Sequence, residues 1–198
     1  MAKYHVTGVF LLEDPANVST EVLSAAITGQ VGIDTAVVLT DPAQDPAVLG
    51  NLERLMAESG VDYYHVVRDP HLSLAVQLDQ VLPEQQRPDT QSWLWFLTED
   101  TVVSPTSLAS QLQAVEISPS VAIAGAKQLS DRQLIDVGLS VAHNGEIVSL
   151  IEPGELDQGQ YDHRTDVFAV SLPGMLIQTE LFTRLDGFDL NTPVIAQT

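Results

Sequence analysis

Through the first hundred residues, segments with the apolar pattern of a strand alternate with segments that have the apolar spacing of a helix. Short runs rich in β-branched and aromatic residues predict strands. Between these runs, apolar side chains recur at helical spacing after residues that commonly cap helices. Alternation of strand and helix predicts a mostly parallel sheet with helices on both faces. The predicted strands are 4–12, 35–40 and 63–67; the predicted helices are 19–28, 46–59 and 71–81, followed by a surface loop at 83–91.

The chain is organised around Trp93–Leu97, five apolar residues followed directly by Thr98-Glu99-Asp100. An unbroken apolar run of this length predicts a strand that is covered on both faces. Ligands of open α/β sheets bind beyond the carboxyl ends of the strands, where Glu99 and Asp100 would lie. Two acidic residues there could hold a divalent cation, which could hold a phosphate; alternatively, they form a solvated turn.

The second half has a different pattern. A helix is predicted from Pro105 to Val115, then a strand at 121–126. Extended runs at 134–141 and 147–151 surround His143-Asn144-Gly145, and Asn-Gly between such runs predicts a β-hairpin. A long polar loop at 152–166 is typical of a functional or disordered segment. The last predicted elements are a strand at 168–177, interrupted by Pro173-Gly174, and a short helix that starts at Thr179 and ends near Gly187.

Composition excludes several classes of site. The 198 residues are sufficient for one domain with a core, and there is no cysteine for a disulfide, a thiolate metal site or a nucleophile. The formal net charge of −19 argues against binding of nucleic acid or an anionic membrane, because nothing would neutralise the phosphates. No stretch is long enough to span a membrane. Glycine-rich phosphate-binding motifs are absent, so a nucleotide site would need a metal.

Other acidic residues follow the predicted strands. Glu13 and Asp14 follow the first strand, and Asp41 and Asp45 follow the second, so all would lie at the same edge of a parallel sheet. They could contact a ribose or base, or serve only as turn and cap residues. In the loop at 152–166, acidic and imidazole groups gather near Gly159, where His163 could be a ligand, a proton-transfer group or a solvent-exposed side chain. These loop residues are Asp157, Asp162, His163 and Asp166.

From Trp93 onward the chain resembles family-2 glycosyltransferases of the GT-A fold, especially the actinobacterial type. The stretch WLWFLTEDTVVSPTSLASQL is similar to that family's apolar strand, D-x-D-type triplet and helix that begins with proline. Three later stretches resemble the second half of the family's domain: VAIAGAKQL, IDVGLSVAHNGEIVSLIEPGELDQGQYDHRTDVFAV and PGMLIQTELFTRLDGFD. The first 90 residues resemble the family in layout more than in motif.

The resemblance implies an α/β, GT-A-like fold: a mostly parallel central sheet with helices on both faces, plus a β-hairpin extension in the C-terminal half. Residues 1–198 would form one domain, with a nucleotide-binding half at 1–100 and an acceptor-side half at 101–198 that is incomplete at its C-terminus. It implies inverting transfer of a sugar from a nucleotide-sugar donor to a polysaccharide or cell-wall acceptor, with Mg²⁺ or Mn²⁺. It also implies a cytoplasmic location at the inner face of the membrane, with which a region downstream of this chain would associate.

Particular residues carry these implied roles. Asp100 matches the metal-binding carboxylate of the triplet and Glu99 its middle acid. The family's nucleoside-binding Asp would align with Thr40. This Asp is therefore missing here, unless Asp41 takes its role. The implied donor-binding residues are Glu13, Thr40, Asp41 and Glu99, and the implied acceptor-side loop contains Asp157, Gln158, Asp162 and His163.

The chain also departs from the family at four points. Thr98 replaces the first acid of the triplet, and the Asp after the second strand is missing. Where the family has Gly-Gly-Phe-Asp, this chain has Asp186 before Gly187-Phe188-Asp189, and no acidic segment follows to supply a catalytic base. Two hypotheses remain: a glycosyltransferase domain that is active in a longer protein, and a GT-A-like pseudo-enzyme that serves as a binding or interaction domain.

Overall fold

The computed structural model describes residues 3–12, 20–30, 32–40, 46–82, 90–163 and 165–188. In its first half, strands and helices alternate as the hydrophobic pattern predicts. The elements are β1 Lys3–Leu12, α1 Thr20–Thr28, β2 Ile33–Thr40, α2 Pro46–Ser59, β3 Asp62–Val67, α3 Leu74–Asp79 and β4 Thr90–Thr98.

The second half begins with α4, Ser107–Ile117, and continues mainly as short strands. These strands are β5 Ile123–Ala124, β6 Gln128–Ser130, β7 Gln133–Asp136, β8 Leu139–Val141, β9 Ile147–Ser149 and β10 Met175–Gln178. A short helix, α5 Thr179–Arg184, follows β10 directly.

The central sheet contains six described strands in the order β3-β2-β1-β4-β10-β5. The first four are parallel, whereas β10 runs antiparallel to β4 and β5 runs antiparallel to β10. β5 therefore points the same way as β1 to β4. The carboxyl ends of these five strands consequently meet at one edge of the sheet, which we call the carboxyl edge.

Both faces of the sheet are covered. Alternate side chains of β1, β2 and β4 pack on one face with α1, α2 and α4, and those between them pack on the other face with α3 and α5. Trp93, Trp95 and Leu97 lie in the first layer and Leu94 and Phe96 in the second, each at most 1% exposed. Burial on both faces explains why β4 is a continuous apolar run. The expected α/β, GT-A-like architecture is confirmed.

Three predicted extended runs are shorter or divided in the structure. The run at 134–141 separates into β7 and β8, because Gly138 has φ +108° and its N–H donates to the Asp136 carboxylate. The run at 121–126 is a strand only at Ile123–Ala124, and that at 168–177 only at Met175–Gln178. The predicted hairpin is confirmed as β8–β9, with Gly145 at φ +85° in its turn.

A second hairpin, β6–β7, was not predicted. Its turn contains Asp131 at φ +53° rather than a glycine, so the usual sequence signal is missing. Asp is among the few non-glycine residues that tolerate this left-handed conformation.

A buried glutamine connects α4 to three parts of the sheet. The Trp95 indole Nε1–H donates to Gln111 Oε1 at 2.9 Å, and Gln111 Nε2 donates to the carbonyls of Gly174 at 2.6 Å and Ala124 at 3.3 Å. The Gly174 N–H donates to the Phe96 carbonyl. Gln111 therefore helps to hold β5, β10 and the carboxyl end of β4 in register.

Among the described residues, no helix combines the length and the apolar character needed to cross a bilayer.

Candidate functional site

The carboxyl edge brings together polar residues that are far apart in the sequence. Thr40 ends β2, Arg68 follows β3, Thr98-Glu99-Asp100 closes β4, and Lys127 lies three residues beyond β5. Open α/β sheets bind ligands at this edge, so these residues and the cavity beside them form the candidate site.

Asp100 lies in a compact turn at the end of β4. The Thr98 hydroxyl donates to Asp100 Oδ1 at 2.6 Å and also bonds with the Thr101 hydroxyl at 2.7 Å. The Thr101 N–H donates to the Thr98 carbonyl. The Asp100 side chain is exposed and Glu99 is half-buried, so the predicted triplet does present a carboxylate to solvent at the carboxyl edge.

A divalent cation at this turn would need several oxygen ligands. Within the described ranges, no three His, Asp or Glu side chains converge to cage a metal ion. Mg²⁺, however, commonly binds through one or two carboxylates and completes its shell with water and substrate phosphates. Asp100 makes no hydrogen bond through Oδ2 to another described residue. A cation at this turn would therefore need phosphate and water ligands besides Asp100, because the described residues form no preformed protein cage.

Thr40 lies inside the sheet, at the end of β2. It is fully buried, and its hydroxyl is 2.8 Å from His65 Nε2 on the neighbouring strand. Its carbonyl accepts a hydrogen bond from the Arg68 N–H at 2.8 Å. Burial lowers the pKa of His65, against an opposing effect of Glu53. Thr40 thus positions the start of the loop after β3, and its direct contact with a donor stays a prediction. Glu13 and Asp41 lie outside the described residues.

A cavity of about 400 Å³ opens beside the loop after β3. One wall consists of this loop and the start of α3, residues 68–74 with Gln77; the other wall is the turn after α5, residues 185–188. The lining combines Arg68, His71 and two carboxylates, Asp69 and Asp186, with apolar side chains. Phe188 packs against Phe96 with ring centroids 5.3 Å apart, so the second wall rests on β4.

Gln77 holds the first wall together from within. Its Oε1 accepts from the Asp69 N–H at 2.9 Å, and its Nε2 donates to the carbonyls of Asp69 and Leu72, each at 3.0 Å. The Asp69 carboxylate in turn accepts from the His71 N–H. Since Gln77 is buried and spans the loop with three bonds, this wall has a defined shape.

Lys127 makes a double ion pair with the long polar loop. Its Nζ lies 3.0 and 2.9 Å from the two carboxylate oxygens of Asp157 and 2.5 Å from Asp162 Oδ1. The hydrogen bonds to Asp162 and then Asp157 raise the pKa of Lys127, and Lys127 holds the pKa of Asp157 below its usual range. The structure thus brings together two of the four residues predicted for the acceptor side.

The loop is ordered by hydrogen bonds to the β6–β7 hairpin, to the segment before the loop and within itself. The Leu134 N–H donates to the Glu155 carbonyl and the Asp157 N–H donates to the Arg132 carbonyl, each within 2.9 Å. The Tyr161 hydroxyl donates to the Leu150 carbonyl. Of the other predicted residues, Gln158 donates through its backbone N–H to Gln160 Oε1, and its side chain and that of His163 are exposed. Asp166 is also exposed.

The cavity residues were missed in the sequence because their signal is weak. The stretch RDPHLS follows a strand, and a turn is the simplest interpretation of Asp-Pro. Gln77 and Ser73 have no motif spacing, and Asp186 is noticeable only as a departure from a family pattern. Their proximity depends on the packing of α3 and α5 on the same face of the sheet.

Comparison with known proteins shows similarity at the level of the fold. No family model matches the chain, and neither does any curated protein. The crystal structure of S. aureus TarS 1-349 in complex with UDP-GlcNAc gives a TM-score of 0.56 at 13% identity, over 92% of this chain and 47% of that chain. The same protein in complex with UDP gives 0.55 at 12% identity, over 92% and 49%. A 4-diphosphocytidyl-2C-methyl-D-erythritol synthase from Anaerococcus prevotii gives 0.50 at 6% identity, over 94% and 76%.

The chain therefore spans about half the length of the TarS structures. At such low identities the similarity shows the fold alone.

Proposed function

We propose that this chain is the nucleotide-sugar-binding part of an inverting glycosyltransferase that uses a divalent metal. The observation that carries the proposal is the carboxyl edge, where the cavity beside Arg68 and the Asp100 carboxylate both lie. Because Phe188 packs on Phe96, the wall of the cavity continues to β4, the strand that leads into the turn at Asp100. The fold shared with a protein crystallised with UDP-GlcNAc adds support.

In this proposal, the cavity holds the nucleoside and the diphosphate extends toward Asp100. A net charge of −19 disfavours an anionic ligand unless a cation compensates locally. Arg68 contributes one positive charge at the cavity, but the carboxylates of Asp69 and Asp186 line it as well, so most of the compensation would have to come from a metal. Asp100, with Glu99 beside it, would hold Mg²⁺ or Mn²⁺ together with the phosphate oxygens, and the bound metal would stabilise the negative charge that develops on the departing diphosphate.

The acceptor would bind on the side of the ordered loop. A glycan offers many hydroxyl groups, and Asp157, Gln158, Asp162 and His163 supply carboxylate, amide and imidazole partners for them. No described residue is assigned as the catalytic base. We propose polysaccharide or cell-wall synthesis at the cytoplasmic face of a membrane as the setting.

The second candidate is a GT-A-like domain that no longer catalyses transfer and serves for binding or interaction. It is favoured by the turn at Thr98, because a hydroxyl stands where the resemblance implies a first carboxylate and donates to Asp100 Oδ1. With one exposed carboxylate in place of two or three, the affinity for a metal would be lower.

Calorimetry with UDP-sugars and GDP-sugars, each with and without Mn²⁺, distinguishes the two candidates. We expect metal-dependent binding that is lost in Asp100→Asn. The matched control is Asp62→Asn, which removes the same charge at the opposite end of a parallel strand, where the side chain is also exposed. If no nucleotide-sugar binds under any condition, the glycosyltransferase proposal is wrong and the interaction domain remains.

A further inference from the structure

The two walls of the cavity are joined by one side-chain contact. The Ser73 hydroxyl, at the start of α3, donates to Asp186 Oδ1 in the turn after α5 at 2.9 Å. These residues are 113 positions apart in the sequence. The contact thus connects the wall that Gln77 orders with the wall that rests on β4.

The turn after α5 does not need the Asp186 side chain for its shape. Asp186 and the following Gly187 have φ +59° and +76°. The N–H groups of residues 185, 186 and 187 donate to the carbonyls of Leu181, Thr183 and Phe182 at 3.0 Å each. Glycine would adopt this left-handed conformation with less strain than aspartate.

Asp186 therefore occupies a position where its backbone conformation favours glycine. Its carboxylate has a definite partner in Ser73 and lines the cavity. Gly187 fixes the same turn independently, since a Cβ at this position would lie 2.8 Å from the backbone nitrogen of Ala75 in α3. The backbone approach of the two walls is thus set by Gly187, and the side-chain contact across the mouth of the cavity by Asp186.

We infer that Asp186 and Ser73 form a latch that holds the cavity in the shape that binds a nucleotide, so that Asp186 is a positioning residue in this chain. This inference rests on the proposed function, because it takes the cavity as the nucleotide site. A preorganised cavity loses less conformational freedom on binding, so opening the latch should weaken binding.

The test compares two variants of Asp186 by calorimetry with UDP and with GDP in the presence of Mn²⁺. Asp186→Gly removes the latch and relieves the backbone, so we expect affinity to fall roughly three- to tenfold, the effect of one hydrogen bond, while the melting temperature is unchanged or higher. Asp186→Asn keeps an acceptor oxygen and a residue that tolerates positive φ, and we expect it to retain most of the affinity that Asp186→Gly loses. Ser73→Ala is less informative, because Ser73 also caps α3 by accepting from the Val76 N–H.

Hydrogen exchange provides a measurement without ligand. In Asp186→Gly, amides of residues 73–76 and 185–188 should exchange faster, while those of β1 and β4 should not change. Unchanged affinity in Asp186→Gly would overturn the inference. So would an equal loss of affinity in Asp186→Asn and Asp186→Gly, because the effect would then come from the lost negative charge and not from the lost hydrogen bond to Ser73. A lower melting temperature together with weaker binding would reduce the role to a structural one. Failure of the unmodified chain to bind UDP or GDP is a different result, which refutes the proposed function and this inference with it.

Discussion

Replacement of Gln111 by leucine should destabilise the fold strongly, because this side chain satisfies two buried polar groups and one that is partly buried. Gln111 is 7% exposed and accepts from the Trp95 indole N–H, while its amide donates to the carbonyls of Gly174 and Ala124. Leucine has a similar volume but makes none of these bonds. A buried polar group left without a partner costs about 1–3 kcal/mol. Allowing for the weaker bond to Ala124, we expect a loss of about 3–4 kcal/mol.

Urea unfolding followed by tryptophan fluorescence measures this loss. Trp93 and Trp95 are both buried, and far-UV circular dichroism provides a second probe of the same transition. The matched control is Gln113→Leu, the same change two residues away on the exposed face of α4, for which we expect less than about 0.5 kcal/mol. An unfolding free energy within about 1 kcal/mol of the unmodified chain in Gln111→Leu, at an unchanged denaturant slope, would refute the reasoning.

Three further predictions concern other parts of the fold. Gly187→Ala should destabilise the fold by about 1–3 kcal/mol, because Gly187 has a positive φ and lies against α3. Gly50 lies in α2 with open space around it, so Gly50→Ala should stabilise the fold by about 0.5–1 kcal/mol. Thermal unfolding measures both changes. Burial lowers the pKa of His65 in the folded chain below its ordinary value of 6.5, so the unfolded chain binds the proton more readily. The free energy of unfolding should therefore decrease as the pH falls below about 6.5. His65→Gln should make this decrease smaller, and urea unfolding at a series of pH values measures it. Lys127→Met should raise the pKa of Asp157, measured by carboxyl NMR titration, because it removes the hydrogen bond that lowers this pKa.

Each of these predictions has a result that contradicts it. Equal effects of the two glycine substitutions would mean that the turn after α5 is not held against α3. A pH dependence that His65→Gln leaves unchanged would place the responsible group elsewhere. An Asp157 pKa that does not move in Lys127→Met would mean that the ion pair is broken in solution.

The hydrophobic pattern was sufficient to predict the strands and helices of the first half. A strand that is covered on both faces must be apolar at every position, and β4 is recognisable for this reason alone. Shorter elements were less predictable. Periodicity does not detect the break at Gly138 between β7 and β8, because the break depends on a φ of +108° and on the Asp136 carboxylate that accepts from the Gly138 N–H.

The candidate site was predicted in part. Because parallel strands end at a common edge, the order of elements was enough to expect Asp100 there. The sequence could not indicate that Lys127 would follow a strand pointing the same way, since this depends on β10 being inserted antiparallel between β4 and β5. Nothing in the sequence indicated that the Thr40 hydroxyl bonds to His65 on the neighbouring strand, and its contact with a donor stays a prediction.

The sequence by itself determined the class of fold, the central strand and the negative net charge. Because that charge repels phosphate, a bound phosphate would need a cation beside it. These properties depend on local composition and on the order of elements along the chain. Only the tertiary structure decided the strand order, the cavity and the contact between Ser73 and Asp186. Their physical cause is the packing of α3 and α5 on one face of the sheet, which brings together residues 113 positions apart that share no local pattern.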